Sequence, residues 1–204
     1  MNHLVGKWGA GITGLSVVAF AISMLFGPGA IFASCLSSLF IALGYLPFAA
    51  GVVAVNVDVG RKATGIAALS FGAVYAVLIL LVYYAQCTTV RMHPDLSEEA
   101  LSLISYGHLG SLFFNYNLLG YGMMALSTFL LGFLIVPADR SSRRLRMLLW
   151  GHGIFFFPCL IVPMLPVFTT ATNALVGTIV LECWCFYFLP ICLLGFRYFT
   201  TQHK

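Results

Sequence analysis

Residues 63–86 read ATGIAALSFGAVYAVLILLVYYAQ and contain no charged side chain. About 20 mostly apolar residues, rising 1.5 Å each, carry a helix across the hydrocarbon core of a bilayer, so this stretch is long enough to span. Lipid offers the backbone no hydrogen bonds, which makes a helix its expected form. Arg61 and Lys62 stand directly before the stretch, and Arg91 follows shortly after it.

Five other segments pass the same test: Trp8–Phe26, Ala30–Val55, Phe113–Val136, Leu145–Val167 and Ala174–Phe196. Composition agrees, since 61% of the residues are hydrophobic, 8% are charged and mean hydropathy is +1.00. A soluble domain has about a quarter charged residues. The predicted fold is therefore an all-α membrane protein, a bundle of six transmembrane helices forming a single domain over residues 1–204. The lipid bilayer is its first partner. Gly27-Pro28-Gly29 predicts a tight turn between the first two spans. Asn56–Lys62 and Ala138–Arg144 read as polar connectors, and Thr169–Asn173 as a short uncharged one. Trp8–Phe26 reads as a retained helix rather than a cleaved signal, because Phe32-Ala33-Ser34-Cys35 lies past a whole span and a turn.

Positive charge sets the predicted orientation. Lys7, Arg61, Lys62, Arg140, Arg143, Arg144, Arg146, Arg197 and Lys204 fall on one side, leaving only Arg91 of the 10 Lys and Arg on the other. The positive-inside rule then places both termini in the cytoplasm. Ten basic residues distributed this way trace topology and form no nucleic-acid-binding face. Residues 140–146, RSSRRLR, are part of that signal and would also meet anionic headgroups, at roughly 1 kcal/mol per basic residue near the surface.

Glu182 is the one carboxylic acid inside a predicted span. A charge at the bilayer centre costs at least about 2.5 kcal/mol, so an intramembrane Glu is a functional candidate by default. Thr178 at i−4 and Cys185 at i+3 share its stripe, while Cys183 and Trp184 point elsewhere. Counting depth along straight helices places Tyr121 level with Glu182, with Ser38 and Tyr75 within about a turn. His152 lies deeper, which argues against a Glu–His pair and favours a Tyr121 hydroxyl on the Glu182 carboxyl.

Two further stripes point the same way. Tyr75, Tyr83 and Gln86 fall near one face of the third span, and Asn117, Tyr121, Met124 and Thr128 on one face of the fourth. With Glu182 and Thr178 they predict a polar, outward-facing cavity with Arg91 at its mouth. The alternative is that these groups are interhelical hydrogen bonds, while Ala68, Gly72 and Ala76 let helices approach closely. Residues 87–112 form the one long loop, reading either as cover for the bundle or as a lid. Within it Asp95 and Glu98 suggest a capping box opening a short interfacial helix through Leu96, Ala100, Leu103 and Ile104. Cys35 and Cys87 approach the same face, so a disulfide between them is conceivable.

The sequence contains no HExxH, CxxC, Walker or GxSxG motif, and no intramembrane pair of carboxylates. No cofactor or metal is expected. The run YYAQCTTVR, followed by a polar loop and NYNLLGYGMMAL, resembles a loose group of small bacterial membrane proteins of unknown function. That resemblance covers about the central third and implies a bacterial cytoplasmic membrane but no activity. The leading expectation is a non-enzymatic protein that binds or transports a small-molecule or cationic ligand, anchored by Glu182. A structural or accessory subunit, with Glu182 bonding a membrane protein partner, comes second, and a membrane enzyme third.

Overall fold

The computed structural model describes residues 1–56, 58–165 and 174–201, and every regular element among them is helical. Six helices are long and apolar enough to cross a membrane, as a multi-pass integral membrane protein requires. They begin with α1 (Asn2–Leu25), α2 (Ile31–Asn56) and α3 (Lys62–Ala85). A short helix, α4 (Glu98–Ile104), precedes the fourth spanning helix, α5 (Leu112–Leu134). The fifth span opens as α6 (Arg140–His152) and continues as α7 (Phe156–Ile161), and α8 (Ala174–Thr201) is the sixth. The expected end of the fifth span at Val167, the Thr169–Asn173 connector and Lys204 lie outside the described residues, as does one connector position, 57.

Helices adjacent in sequence pack side by side, and α8 closes a ring against α1, with α2 also reaching α5 across the middle. At one face the start of α1, the end of α2 and the end of α8 meet, because Gly6 lies against both Gly51 and the Phe199 ring. We call this the terminal face. The opposite, distal face carries the 91–111 segment. The α1–α2 crossing is close enough that a Cβ at Gly9 would run into the Phe48 backbone, and one at Gly51 into the Gly6 backbone. Lipid provides no hydrophobic drive between helices, so such backbone approach supplies the attraction through dispersion.

Polar ties stitch the helices toward the terminal face. Tyr45 of α2 donates to Ser127 Oγ of α5 (2.7 Å), which donates to the Ala68 carbonyl of α3 (2.7 Å). Tyr187 of α8 donates to the Leu148 carbonyl (2.9 Å), and Tyr198 donates to Asn56 Oδ1 (2.6 Å). Arg61 reaches the Leu134 carbonyl at 3.1 Å while its guanidinium pairs with Asp58 at 2.7 Å. Hydrogen bonds from Arg61 hold the Asp58 carboxyl below its ordinary range.

Three local readings need correction. Residues 140–144 are not a connector but the first turns of α6: Asp139 accepts from the Ser142 backbone (2.8 Å) and the Ser142 hydroxyl bonds back to the Asp139 N–H (3.0 Å). The cap of α4 is Ser97, which accepts from the Ala100 backbone (3.3 Å), so the Asp95 and Glu98 box does not form. The fifth span is not one uninterrupted helix. It passes through 3₁₀ turns at Gly153–Phe155 and Val162–Met164, where Gly153, Pro158 and Pro163 weaken or remove ladder hydrogen bonds. All six cysteines are free thiols, Cys35 and Cys87 among them.

Candidate functional site

Helix α3 presents Tyr75 and Tyr83 to the interior, and α5 presents Asn117 and Tyr121 at i and i+4, on one face. Their exposures are 0%, 0%, 2% and 6%. Among the described residues these four alone combine a side chain more than nine-tenths buried with a polar atom lacking any hydrogen-bond partner: the three phenol oxygens and Asn117 Oδ1. The Tyr75 and Tyr121 rings lie 5.8 Å apart. The Tyr83 and Tyr121 hydroxyls, with Ser38 of α2, are close enough to interact, yet no hydrogen bond closes on either phenol oxygen. Ser38 donates to the Ser34 carbonyl (3.1 Å). An unpaired polar group in a protein interior costs about 1–3 kcal/mol, so four on the inward stripes of α3 and α5 mark this region.

The distal end is closed by the loop before α5. Tyr106 packs at a tilt against Tyr83 (5.2 Å between ring centres) and Phe114 (6.3 Å). Gln86 latches it there, because its Oε1 accepts from the Tyr106 backbone N–H (3.0 Å) and its Nε2 donates to the Ile104 carbonyl (2.8 Å). Burial pushes the Tyr106 phenol up to about 12, so it stays a neutral hydroxyl at physiological pH. Gln86 is thus a latch holding Tyr106 over the group, and in this structure the tyrosines are shut in rather than open to the distal face.

The remaining predicted residues sit around this group. Glu182 is half-buried on α8, with Oε1 enclosed and unpartnered. Its expected bond to Tyr121 does not form, since the Tyr121 oxygen has no partner and its ring instead meets Trp184 edge-on at 4.9 Å. Trp184 brings α8 against Tyr121, and Glu182, two residues before it, lies beside the group. Thr178, a further turn distal, is half-buried. The Arg91 guanidinium lies 4.0 Å over the Phe32 ring.

A second polar unit borders the group and has no counterpart in the sequence reading. Trp184 Nε1 donates to His152 Nε2 (3.0 Å), and His152 Nδ1 meets Thr128 Oγ1 (2.7 Å). An indole nitrogen only donates, so Nε2 accepts, Nδ1 carries the proton, and Thr128 passes its own to the Ala125 or Met124 carbonyl (2.9 and 3.0 Å). His152 is wholly buried with both nitrogens satisfied in the neutral form, and it crosslinks α5, α6 and α8. Depth along straight helices correctly separated it from Glu182. It gave no signal for Trp184, two residues on and about 3 Å nearer the terminal face.

Among the described residues no three His, Cys, Asp or Glu side chains gather as metal ligands. Comparison with protein-family models, curated proteins and solved structures found no match to this chain. The resemblance of its central third therefore assigns neither a source nor an activity.

Proposed function

We propose that this multi-pass protein binds, and in doing so moves or senses, a small polar solute or cation within the membrane. The observation that carries the reading is the group of four buried, unpartnered oxygens on Tyr75, Tyr83, Asn117 and Tyr121. Three phenols can donate, and an amide oxygen can accept. A neutral solute bearing both functions, or a cation met by oxygen lone pairs, would relieve their desolvation. Entry from the distal face requires Tyr106 to swing away with its Gln86 latch, a loop movement of the gating kind. Glu182 beside the group supplies the single carboxyl, able to neutralise a cation or exchange a proton as the site fills. The excess of Lys and Arg at the terminal face supports a cytoplasmic side for that face, and on this reading the site loads from outside.

The test is a screen of purified protein for thermal stabilisation by sodium, potassium, small amines and small hydroxylated solutes. A ligand of this site stabilises the native chain but not Tyr121→Phe or Tyr83→Phe, with both variants reaching normal membrane abundance. Ligand responses unaffected by either change would defeat the reading. Glu182→Gln should lose a cation response while keeping abundance.

A second reading rests on a different observation. Neither α7 nor residues 177–183 of α8 include a buried residue, and α6 rather than α7 packs firmly on α8. Glu182 lies on that less covered wall, where a neighbouring transmembrane helix bearing a donor would meet it. An accessory-subunit role predicts a protein that co-purifies in mild detergent and is lost with Glu182→Leu.

A further inference from the structure

Arg91 raises a question that the tyrosine group does not answer. Its guanidinium is exposed and stacked on Phe32, and among the described residues it has neither an ion pair nor a hydrogen bond. An arginine has five N–H donors in a planar fork matched to phosphate or carboxylate oxygens, and stacking on a ring leaves the edges of that fork free. It is also the one Lys or Arg between Lys62 and Arg140, so no other such charge serves the distal face.

The surface beneath it is apolar and concave. A groove of about 580 Å³ is walled by Leu39 and Leu43 of α2 and Leu80 and Leu81 of α3, with Tyr84, Thr89 and Phe113 of α5 completing it. Phe32, Leu36, Leu39 and Leu43 follow one another at i, i+4, i+7 and i+11, which puts the ring under Arg91 and the leucine wall on one stripe of α2. The other wall leads to Arg91 as well. The π-helical turn Gln86–Val90 carries α3 on past Tyr84 and Thr88 to the arginine. Leu43 and Leu81 are each 50% exposed, so the groove faces the bilayer and not the bundle interior.

We propose that this groove is a binding site for one glycerophospholipid of the distal leaflet. The lipid's phosphodiester pairs with the Arg91 guanidinium, and one acyl chain lies between the leucines of α2 and α3. Charge at the headgroup level and an apolar channel directly below it reproduce the two ends of a lipid. The groove shares no lining residue with the tyrosine group.

The experiment is native mass spectrometry of the protein released from nanodiscs of mixed phosphatidylethanolamine and phosphatidylglycerol. The native chain carries a single-phospholipid adduct. Arg91→Gln lowers that adduct by about tenfold or more, the scale expected for losing a charge-assisted hydrogen bond, whereas Arg91→Lys largely keeps it. Leu81→Trp fills the groove from an exposed position, leaves Arg91 in place and also removes the adduct. Arg143→Gln, at the terminal face, leaves it unchanged. A native chain without an adduct, or an adduct that survives both Arg91→Gln and Leu81→Trp, overturns the proposal.

Discussion

At the scale of single residues, the buried hydroxyls divide by whether they have partners. Tyr45 donates to Ser127, so Tyr45→Phe should lower stability by about 1 kcal/mol and leave Ser127 still bonded to Ala68. Tyr75, Tyr83 and Tyr121 have no partner to lose, so their Phe variants should melt at or above the native temperature when no solute is added. Thermal melting in detergent separates the two classes. Trp184→Phe should cost about 1–3 kcal/mol, because it strands His152 Nε2 in the interior. Helical periodicity was enough to bring Tyr75, Tyr83, Asn117 and Tyr121 to one place, since all four lie on inward stripes of two helices that pack together. It could not show that Gln86 would spend both ends of its amide on the backbone of a loop 18 and 20 residues away. Nor could it pair Trp184 with His152, because that bond depends on the reach of two ring side chains rather than on their positions along a helix.

Caps and breaks act at the scale of whole elements. Backbone and hydroxyl hydrogen bonds from Ser142 hold the Asp139 carboxyl below its usual value of 3.8. A depressed carboxyl stabilises the fold above its unfolded value and loses that contribution as pH falls through the folded one. Acid below pH 3.8 should therefore fray the start of α6, and Asp139→Ala should fray it at neutral pH while removing this acid sensitivity, as hydrogen exchange of residues 140–144 would report. The α1–α2 crossing gives a sharper element-scale test. Gly9→Leu would drive a side chain into the Phe48 backbone, and the two helices should separate, with loss of monodisperse protein on size exclusion. Apolar run length located the spans but not their true ends, since helical hydrogen bonding continues past the apolar run into polar flanks such as Asn2 and Arg140. The break in the fifth span was written in Gly153, Pro158 and Pro163, yet proline is tolerated within α2 at Pro47 and α8 at Pro190, so its presence alone does not mark a break.

For the molecule as a whole, six helices form a ring that is polar-stitched toward the terminal face and holds unpaired oxygens beneath a latched distal loop. Gln86→Leu should release that latch by leaving the Tyr106 N–H and the Ile104 carbonyl unpaired, and protease cleavage within residues 91–111 should accelerate while the spanning helices persist. Ring order was within reach of the sequence, because short connectors make successive helices neighbours. The closed state of the site was not, because closure comes from Tyr106 folding back from a loop with no hydropathy signal. On the proposed function, Tyr75, Tyr83, Asn117 and Tyr121 form a hydrogen-bonding site for something other than the protein. An experimental structure in lipid, at a resolution that shows ordered solvent, tests it most directly. The account predicts density for water, ion or solute within about 3 Å of at least two of these oxygens. Phenols bonded to one another or to backbone carbonyls, with no density between them, would contradict it.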